Sequence, residues 1–337
     1  MNKRLTNNKL IPQKTKKRVL VKSNPTTNDA NTLDGRVVAI VSKTILVESI
    51  SGSLFEAILK GVVVSSNQSS SLIAVGDYVK FEEKQGMKGN TGLPLCIIVQ
   101  ILERKTLLSR KSSGYEPFEQ IIASNITDVL ILVAATNPMY NLKLIDRIII
   151  SAELNGLVPS ICINKIDLVN KKDISPDFDL YQKFGIHILY ISVEKRIGID
   201  ELISFLQNKE VALIGQSGVG KSSLINLLFG KELQKTREIS HYSTKGRHTT
   251  SYVKMFDYHN QFKIVDSPGI REYGIWGLAK QDLTFYFKDF YPYANECRYK
   301  QCSHIHEPDC RVIQAVQEGL ILPIRYESYC NIYESLD

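Results

Sequence analysis

The run Gly215-Gln216-Ser217-Gly218-Val219-Gly220-Lys221-Ser222 obeys the pattern G-x-x-x-x-G-K-[ST] and lies between two segments of opposite character. Before it, Glu210 to Ile214 (EVALI) is short, apolar and β-prone; after it, SSLINLLF from Ser222 to Phe229 has helical spacing. A strand, a glycine turn and a helix start are what a phosphate cradle needs. The glycines let successive backbone N–H groups point inward at the phosphates. Lys221 can then reach the β- and γ-phosphates, and the Ser222 hydroxyl can ligate Mg2+. The stretch from Gly215 to Ser223 is therefore predicted to hold a nucleoside triphosphate.

Around this stretch, from about Ser113, strands and helices alternate. TDVLILVAA (Thr127 to Ala135) reads as a buried parallel strand, and Leu142 to Leu154 as a helix. LVPSICI leads into Asn164-Lys165-Ile166-Asp167 at a strand end, where open α/β sheets bind ligands. HILYIS is another strand and IDELISFLQ a helix; YVKMF and FKIVD are expected to close the sheet. The pattern predicts a doubly wound α/β domain. An aspartate at position 167 can accept both the ring N–H and the exocyclic amine of guanine, a donor pair that adenine lacks. Asn164 would brace neighbouring loops, the Lys165 stem would cover the base, and Ser192-Val193 would offer a backbone N–H to the base oxygen. In Asp266-Ser267-Pro268-Gly269, Asp266 is placed to hold Mg2+ through water and the Gly269 N–H to meet the γ-phosphate. Upstream, Gly246-Arg247-His248-Thr249-Thr250 offers Thr249 or Thr250 to close over Mg2+.

The guanine-reading motif precedes the phosphate cradle, the reverse of the usual order. Circular permutation keeps sheet and site intact, and close termini make it tolerable. The segment after Gly269 then runs straight into the C-terminal region, so nucleotide state is expected to move that region directly.

At 337 residues the chain is long enough for two or three domains, and 43% hydrophobic with 23% charged residues is ordinary for a globular protein. No apolar run approaches a membrane span, and the N-terminus lacks a signal-peptide pattern, so the expected location is the cytoplasm. The net charge of +7 is unevenly placed. Residues 3–22 carry lysines and arginines with no acid, which reads as a disordered basic arm, either solubilising or contacting RNA phosphates. From 33 to about 110, short β-rich runs separated by Gly, Ser and Asn predict a small barrel, an OB-fold first and an SH3-like barrel second. Cys96 and Cys162 sit in apolar runs as small hydrophobes. Cys297, Cys302 and Cys310 cluster with His304 and His306, which suggests metal in a reducing compartment. A C-terminal region this small would bury little core, and a structural metal would make up the deficit.

Taken together and in order, GQSGVGKSSLIN, NKIDL, GRHTT, DSPGI and CRYKQCSHIHEPDC closely resemble the bacterial ribosome small subunit-dependent GTPase A family (RsgA, also called YjeQ). The resemblance covers about residues 33–335. The basic arm over 1–32 lies outside it; within it, the resemblance implies an OB-fold over 33–112, a circularly permuted GTPase over 113–275 and a helical zinc-binding domain over 276–337. It further implies a monomer that binds the small ribosomal subunit and its rRNA during late maturation, with GTP hydrolysis stimulated by the subunit. The family's spacing takes His304, not His306, beside Cys297, Cys302 and Cys310. Three thiolates and an imidazole are a closed tetrahedral set, hence one structural zinc ion. Its register favours Thr250 over Thr249. Where a Ras-like enzyme has a water-orienting glutamine, this chain has Ile270, which cannot orient water. His248 is the expected replacement, since a neutral imidazole accepts from water, and the resemblance supports a catalytic role for it.

Overall fold

The computed structural model describes residues 32–59, 72–112, 117–240, 252–267, 269 and 272–336. The expected basic arm lies outside them, as do His248, Thr249, Thr250 and Ile270.

Five strands, β1 (Leu33–Val41), β2 (Thr44–Ser49), β3 (Leu54–Leu59), β4 (Tyr78–Lys88) and β5 (Pro94–Ile101), form a barrel in the order β1-β2-β3-β5-β4, closed by β1–β4 pairing. All its pairs are antiparallel except β3–β5, the topology of an OB-fold. Alternate side chains fill it: Val37, Val47, Phe55, Ala57, Val79, Phe81, Cys96 and Ile98 are buried, as a period of two requires. A hairpin follows, β6 (Leu107–Lys111) with β7 (Glu119–Ser124).

The α/β part comprises β8 (Asp128–Ala134), α1 (Leu142–Leu154), β9 (Val158–Asn164), α2 (Lys171–Lys183), β10 (His187–Tyr190), α3 (Ile199–Leu206), β11 (Glu210–Ile214), α4 (Lys221–Ser240), β12 (Tyr252–Tyr258) and β13 (Phe262–Asp266). Its strands run β10-β9-β8-β11-β13-β12, parallel except for β12. β8 is buried along its whole length, because helices cover both faces of a parallel sheet. Its alternate residues serve two cores. Val129, Ile131 and Val133 pack with Ile145, Ile148 and Ile149 of α1, whereas Leu130, Leu132 and Ala134 pack with Leu202 and Leu206 of α3 and Leu224 of α4. Asn141 caps α1 by accepting from the Lys143 and Leu144 amides.

One expectation is corrected here. β12 does not close the sheet, because β1 of the barrel pairs with it (Ala39 opposite Lys254, Ile40 opposite Val253, Val41 opposite Tyr252), giving one sheet of eleven strands. An antiparallel edge strand carries unpaired backbone groups, and the barrel satisfies them. The Arg36 guanidinium adds a fork onto Glu210 at the start of β11, with Nη1 to Oε1 at 2.7 Å and Nη2 to Oε2 at 2.6 Å.

The C-terminal region holds α5 (Tyr291–Ala294), α6 (Arg311–Gln317) and α7 (Pro323–Ser335), preceded by 3-10 turns at Lys280–Tyr286 and Lys288–Phe290. Its core is larger than its length suggests. Phe287, Phe290, Val312, Ala315, Ile321, Tyr329 and Ile332 are buried together with Ile150, which α1 lends from the GTPase side. Polar pairs line the same contact: Arg325 reaches both Asp146 and Asp289, Lys288 reaches Glu153 at 3.1 Å, and Arg147 donates to the Asn331 carbonyl at 3.0 Å. The segment entering this region is pinned. Tyr273 is buried, its hydroxyl donates to the Ser109 carbonyl at 2.9 Å and lies 3.1 Å from the Ser151 hydroxyl, and the Lys111 amide donates to the Gly274 carbonyl. The segment that follows Gly269 is thus tied to the hairpin and to α1 at Tyr273 and Gly274 before it enters the C-terminal region.

Candidate active site and metal centre

The C-terminal ends of β8, β9, β11 and β13 converge on one edge of the sheet. The loop from Gly215 to Gly220 leaves β11 and enters α4 at Lys221. Its glycines are sterically required. A Cβ on Gly215 would stand 2.3 Å from the Leu132 carbonyl oxygen, and one on Gly220 would stand 2.3 Å from Asn164 Nδ2. Gly220 also has φ +103°, in the left-handed region. Lys221 folds back over the loop, donating to the carbonyls of Gly215 (2.6 Å) and Gln216 (3.1 Å). Val219 is buried while Ser217, Gly218, Ser222 and Ser223 are exposed along the mouth.

Asn164 is the brace its motif implies. Its Nδ2 donates to the Val219 carbonyl at 2.9 Å, and its Oδ1 accepts from the Val193 amide at 3.0 Å, so one buried side chain ties β9, the glycine loop and the 192–193 loop together. Lys165, left-handed at φ 65°, donates to the carbonyls of Gly218 (2.9 Å) and Asn137. The β8–α1 loop thus joins the site through Asn137, a residue that no motif singled out. Ile166 and Asp167 begin a 3-10 turn. The backbone amides of the Ser192-Val193 pair are engaged within the protein, Ser192 N with the Ile197 carbonyl and Val193 N with Asn164. The Val193 amide, at the pair expected to meet a base oxygen, thus also braces the loop through Asn164.

At this edge of the sheet, two carboxylates among the described residues keep buried oxygens that have no hydrogen-bond partner, Asp167 Oδ1 and Asp266 Oδ1; away from it, Asp146 Oδ2 at the C-terminal contact is a third. An unpaired buried acceptor is costly unless a ligand supplies the donor or cation. Burial pushes the Asp266 carboxyl up to about 6, with Lys221 pulling against it; burial also lowers Lys221, with Asp266 opposing. Ser267, between Asp266 and Gly269, donates its hydroxyl to the Leu213 carbonyl at 3.0 Å and holds that loop to the β11 strand. A Cβ on Gly269 would lie 3.2 Å from Ser217 N and 3.3 Å from Lys221 Nζ, so Gly269 rests over the glycine loop.

Cys297, Cys302, His304 and Cys310 have their ligand atoms all within 4.8 Å of one another. Cys297 Sγ is 3.6 Å from His304 Nδ1 and 3.9 Å from Cys310 Sγ, and His304 Nδ1 is 3.4 Å from Cys310 Sγ. A tetrahedron with zinc–sulfur bonds near 2.3 Å has edges of about 3.8 Å, so the donor set fits zinc. His306 is exposed and outside the group. The loop is held from both sides. Glu307 accepts from the amides of Ser303 (2.7 Å), Ile305 (3.3 Å) and His306 (3.4 Å). Burial pushes its carboxyl up, but the hydrogen bonds prevail and bring it to about 2.

A glycine cradle between β11 and α4, with N-K-x-D on a strand earlier in the chain yet next but one in the sheet, defines a circularly permuted P-loop GTPase. The family model described as RsgA GTPase matches residues 101–276. A Chlorobaculum parvum protein named small ribosomal subunit biogenesis GTPase RsgA is 37% identical over 310 residues, 91% of this chain and 99% of the relative. A Borreliella afzelii protein of the same name is 38% identical over 284 residues, covering 84% and 89%. Among solved structures, YjeQ from Thermotoga maritima superposes with a TM-score of 0.63 at 29% identity, over 90% of this chain and 98% of that one. YloQ, described as a circularly permuted GTPase, has a TM-score of 0.61 at 24% identity over 90% and 95%, a likeness of fold. The chain belongs to the RsgA GTPase family and is a GTP hydrolase. No helix among the described residues is long and apolar enough to cross a membrane.

Proposed function

We propose that this chain binds the small ribosomal subunit and its rRNA in the cytoplasm, as a monomer, and hydrolyses GTP to GDP and phosphate there during late subunit maturation, with docking raising the rate. The proposal divides the chain into an arm over 1–32, a barrel over 33–112, a GTPase over 113–275 and a zinc-binding unit over 276–337. The observation that carries the nucleotide reading is the pair of unpartnered buried oxygens, Asp167 Oδ1 and Asp266 Oδ1, at the same sheet edge as the glycine loop. The ribosomal reading is supported by the names of the relatives.

In this reading Asp167 accepts from the guanine ring N–H and amine, while Asn164 and Lys165 hold the surrounding loops. Backbone amides from Gly215 to Ser222 and the Lys221 ammonium bind the β- and γ-phosphates. Ser222, Asp266 and one of Thr249 or Thr250 would hold Mg2+, which supplies charge neutralisation at the β- and γ-oxygens. His248 accepts a hydrogen bond from the attacking water and Gly269 donates its amide to the γ-phosphate. Cys297, Cys302, His304 and Cys310 hold one zinc ion that stabilises their loop. The test is GTP turnover with and without purified small subunits. Stimulation by small but not large subunits is expected, and an unchanged rate overturns the proposal.

A further inference from the structure

The Cys/His loop reverses direction within a few residues, and its backbone conformation is unfavourable in isolation. His304, a ligand candidate, has φ +60°, and its ring is buried against Phe290 and Tyr329. A non-glycine residue in the left-handed region persists only where its surroundings hold it. The holding groups come from two directions. On one side the Glu307 carboxylate gathers three amides, Ser303 N on Oε1 and the amides of Ile305 and His306 on Oε2. On the other, two hydroxyls of α7 take the carbonyls of the same turn: Tyr326 donates to His304 O and Tyr329 to Ser303 O, both at 2.8 Å. Tyr329 has one proton and spends it on a carbonyl, so its 3.1 Å contact with Thr284 is one in which the threonine hydroxyl donates.

We infer that Glu307 is the positioning residue of the metal centre: its carboxylate fixes the turn from Ser303 to His306 so that His304 Nδ1 faces the three thiolates before the ion arrives. Glu307 is not itself a ligand, since the donor set is complete without it and both its oxygens are spent on amides. The geometry gives a reason for a carboxylate rather than an amide. Three N–H donors converge on two oxygens, and a glutamine would turn its own N–H2 toward at least one of them. The charge also favours a cationic ion a few residues away. Groups that orient a ligand from behind commonly change metal affinity by about 10- to 100-fold when removed. The inference rests on the zinc reading above.

The test compares the full-length chain with Glu307→Gln and Glu307→Ala. Each is stripped of metal and titrated with zinc against a chromophoric chelator, then separately with cobalt for its visible spectrum. The wild-type chain is expected to take up one zinc and to give tetrahedral cobalt bands with thiolate charge transfer. Glu307→Gln is expected to bind zinc about 10- to 100-fold more weakly, yet to show the same cobalt bands at saturation, because the ligands are unchanged. Glu307→Ala, which removes the acceptor without introducing a donor, is expected to lose affinity in the same range. A role confined to folding would lower the melting temperature of the zinc-loaded variants and leave zinc affinity as it was. That result, or wild-type affinity in both variants, overturns the inference. Failure of the wild-type chain itself to take up zinc overturns the zinc reading, and is recognised before any variant is made.

Discussion

Around the glycine loop the functional groups come from β9, β11, β13 and the loops after β8 and β10, whereas the Cys/His group comes from one loop between Cys297 and Cys310. The first site keeps two carboxylate oxygens buried and unpartnered, Asp167 Oδ1 and Asp266 Oδ1. At the second, the four ligand atoms face one another and their turn is hydrogen-bonded from both sides. The difference fits the lifetimes of the ligands. A site whose ligand leaves after each turnover is built on rigid strand ends, and its unmet polar groups are met only by the ligand. A site for a resident ion can be local, because the binding energy of an ion that stays adds to the stability of the loop that holds it. The comparison predicts that lesions at the first site act on binding and rate, and lesions at the second on local structure.

The largest effect is expected at His248. In the proposed function, Ile270 offers no hydrogen-bonding side chain and the attacking water is assigned to this imidazole. His248→Ala should keep GTP and subunit binding while lowering the subunit-stimulated rate by about two to four powers of ten. Single-turnover hydrolysis at saturating subunit measures it. A wild-type stimulated rate in the variant would mean that the ribosome positions the water. Next is the base. Asp167→Asn removes a charge-assisted double contact and should weaken GTP binding by about 1–3 kcal/mol; calorimetric titration giving equal affinity would detach Asp167 from guanine.

A third effect is set by pH. Burial raises the Asp266 carboxyl to about 6, so its anionic form is lost as pH falls through that value, not near 4. Mg2+-dependent GTP binding should then weaken by about tenfold per pH unit below 6, and Asp266→Asn should flatten the profile. In the metal-free protein the sign reverses. The folded state holds this proton more tightly than the unfolded chain does, so protonation of Asp266 favours folding as pH falls through about 6. A pH-independent Mg2+ titration between about pH 5 and 7 would contradict the assignment.

What was legible in the sequence was local. The glycine loop announced itself because strand, turn and helix are contiguous from Glu210 to Phe229, and α1 because its apolar residues keep helical spacing. α2 escaped notice: it is polar, contains Pro176, and among its described residues buries Ile174, Phe178 and Tyr181. α7 opens on Pro323 and is tyrosine-rich, and its buried face, Arg325, Ser328, Tyr329 and Ile332, is half polar. No periodicity reports such a face. The joining of barrel and GTPase into one sheet was invisible because residues 39–41 meet 252–254, a pairing chosen by tertiary packing. At the site the same limit hid Asn137, which enters only because Lys165 reaches its carbonyl.

The smallest expected effect is the sharpest test of the comparison. Cys302→Ser should abolish zinc retention, yet GTP affinity should change by no more than about 0.5 kcal/mol, as for sites that share no partners. From length alone, loss of the ion would unfold everything beyond about residue 290. The structure argues for less. Phe287, Phe290, Tyr329 and Ile332 form a core completed by Ile150 of α1, and Arg325 is pinned between Asp146 and Asp289. Phe290 and Tyr329 also touch the His304 ring, and Cys310 belongs to the same core, but the contacts with Ile150, Asp146 and Asp289 do not involve the Cys/His group. Hydrogen exchange in the variant should therefore quicken between Cys297 and Cys310 while α7 keeps its protection. Global exchange in α7 would show that the metal holds the whole unit, and a large loss of GTP affinity would show that the two sites are coupled through α1.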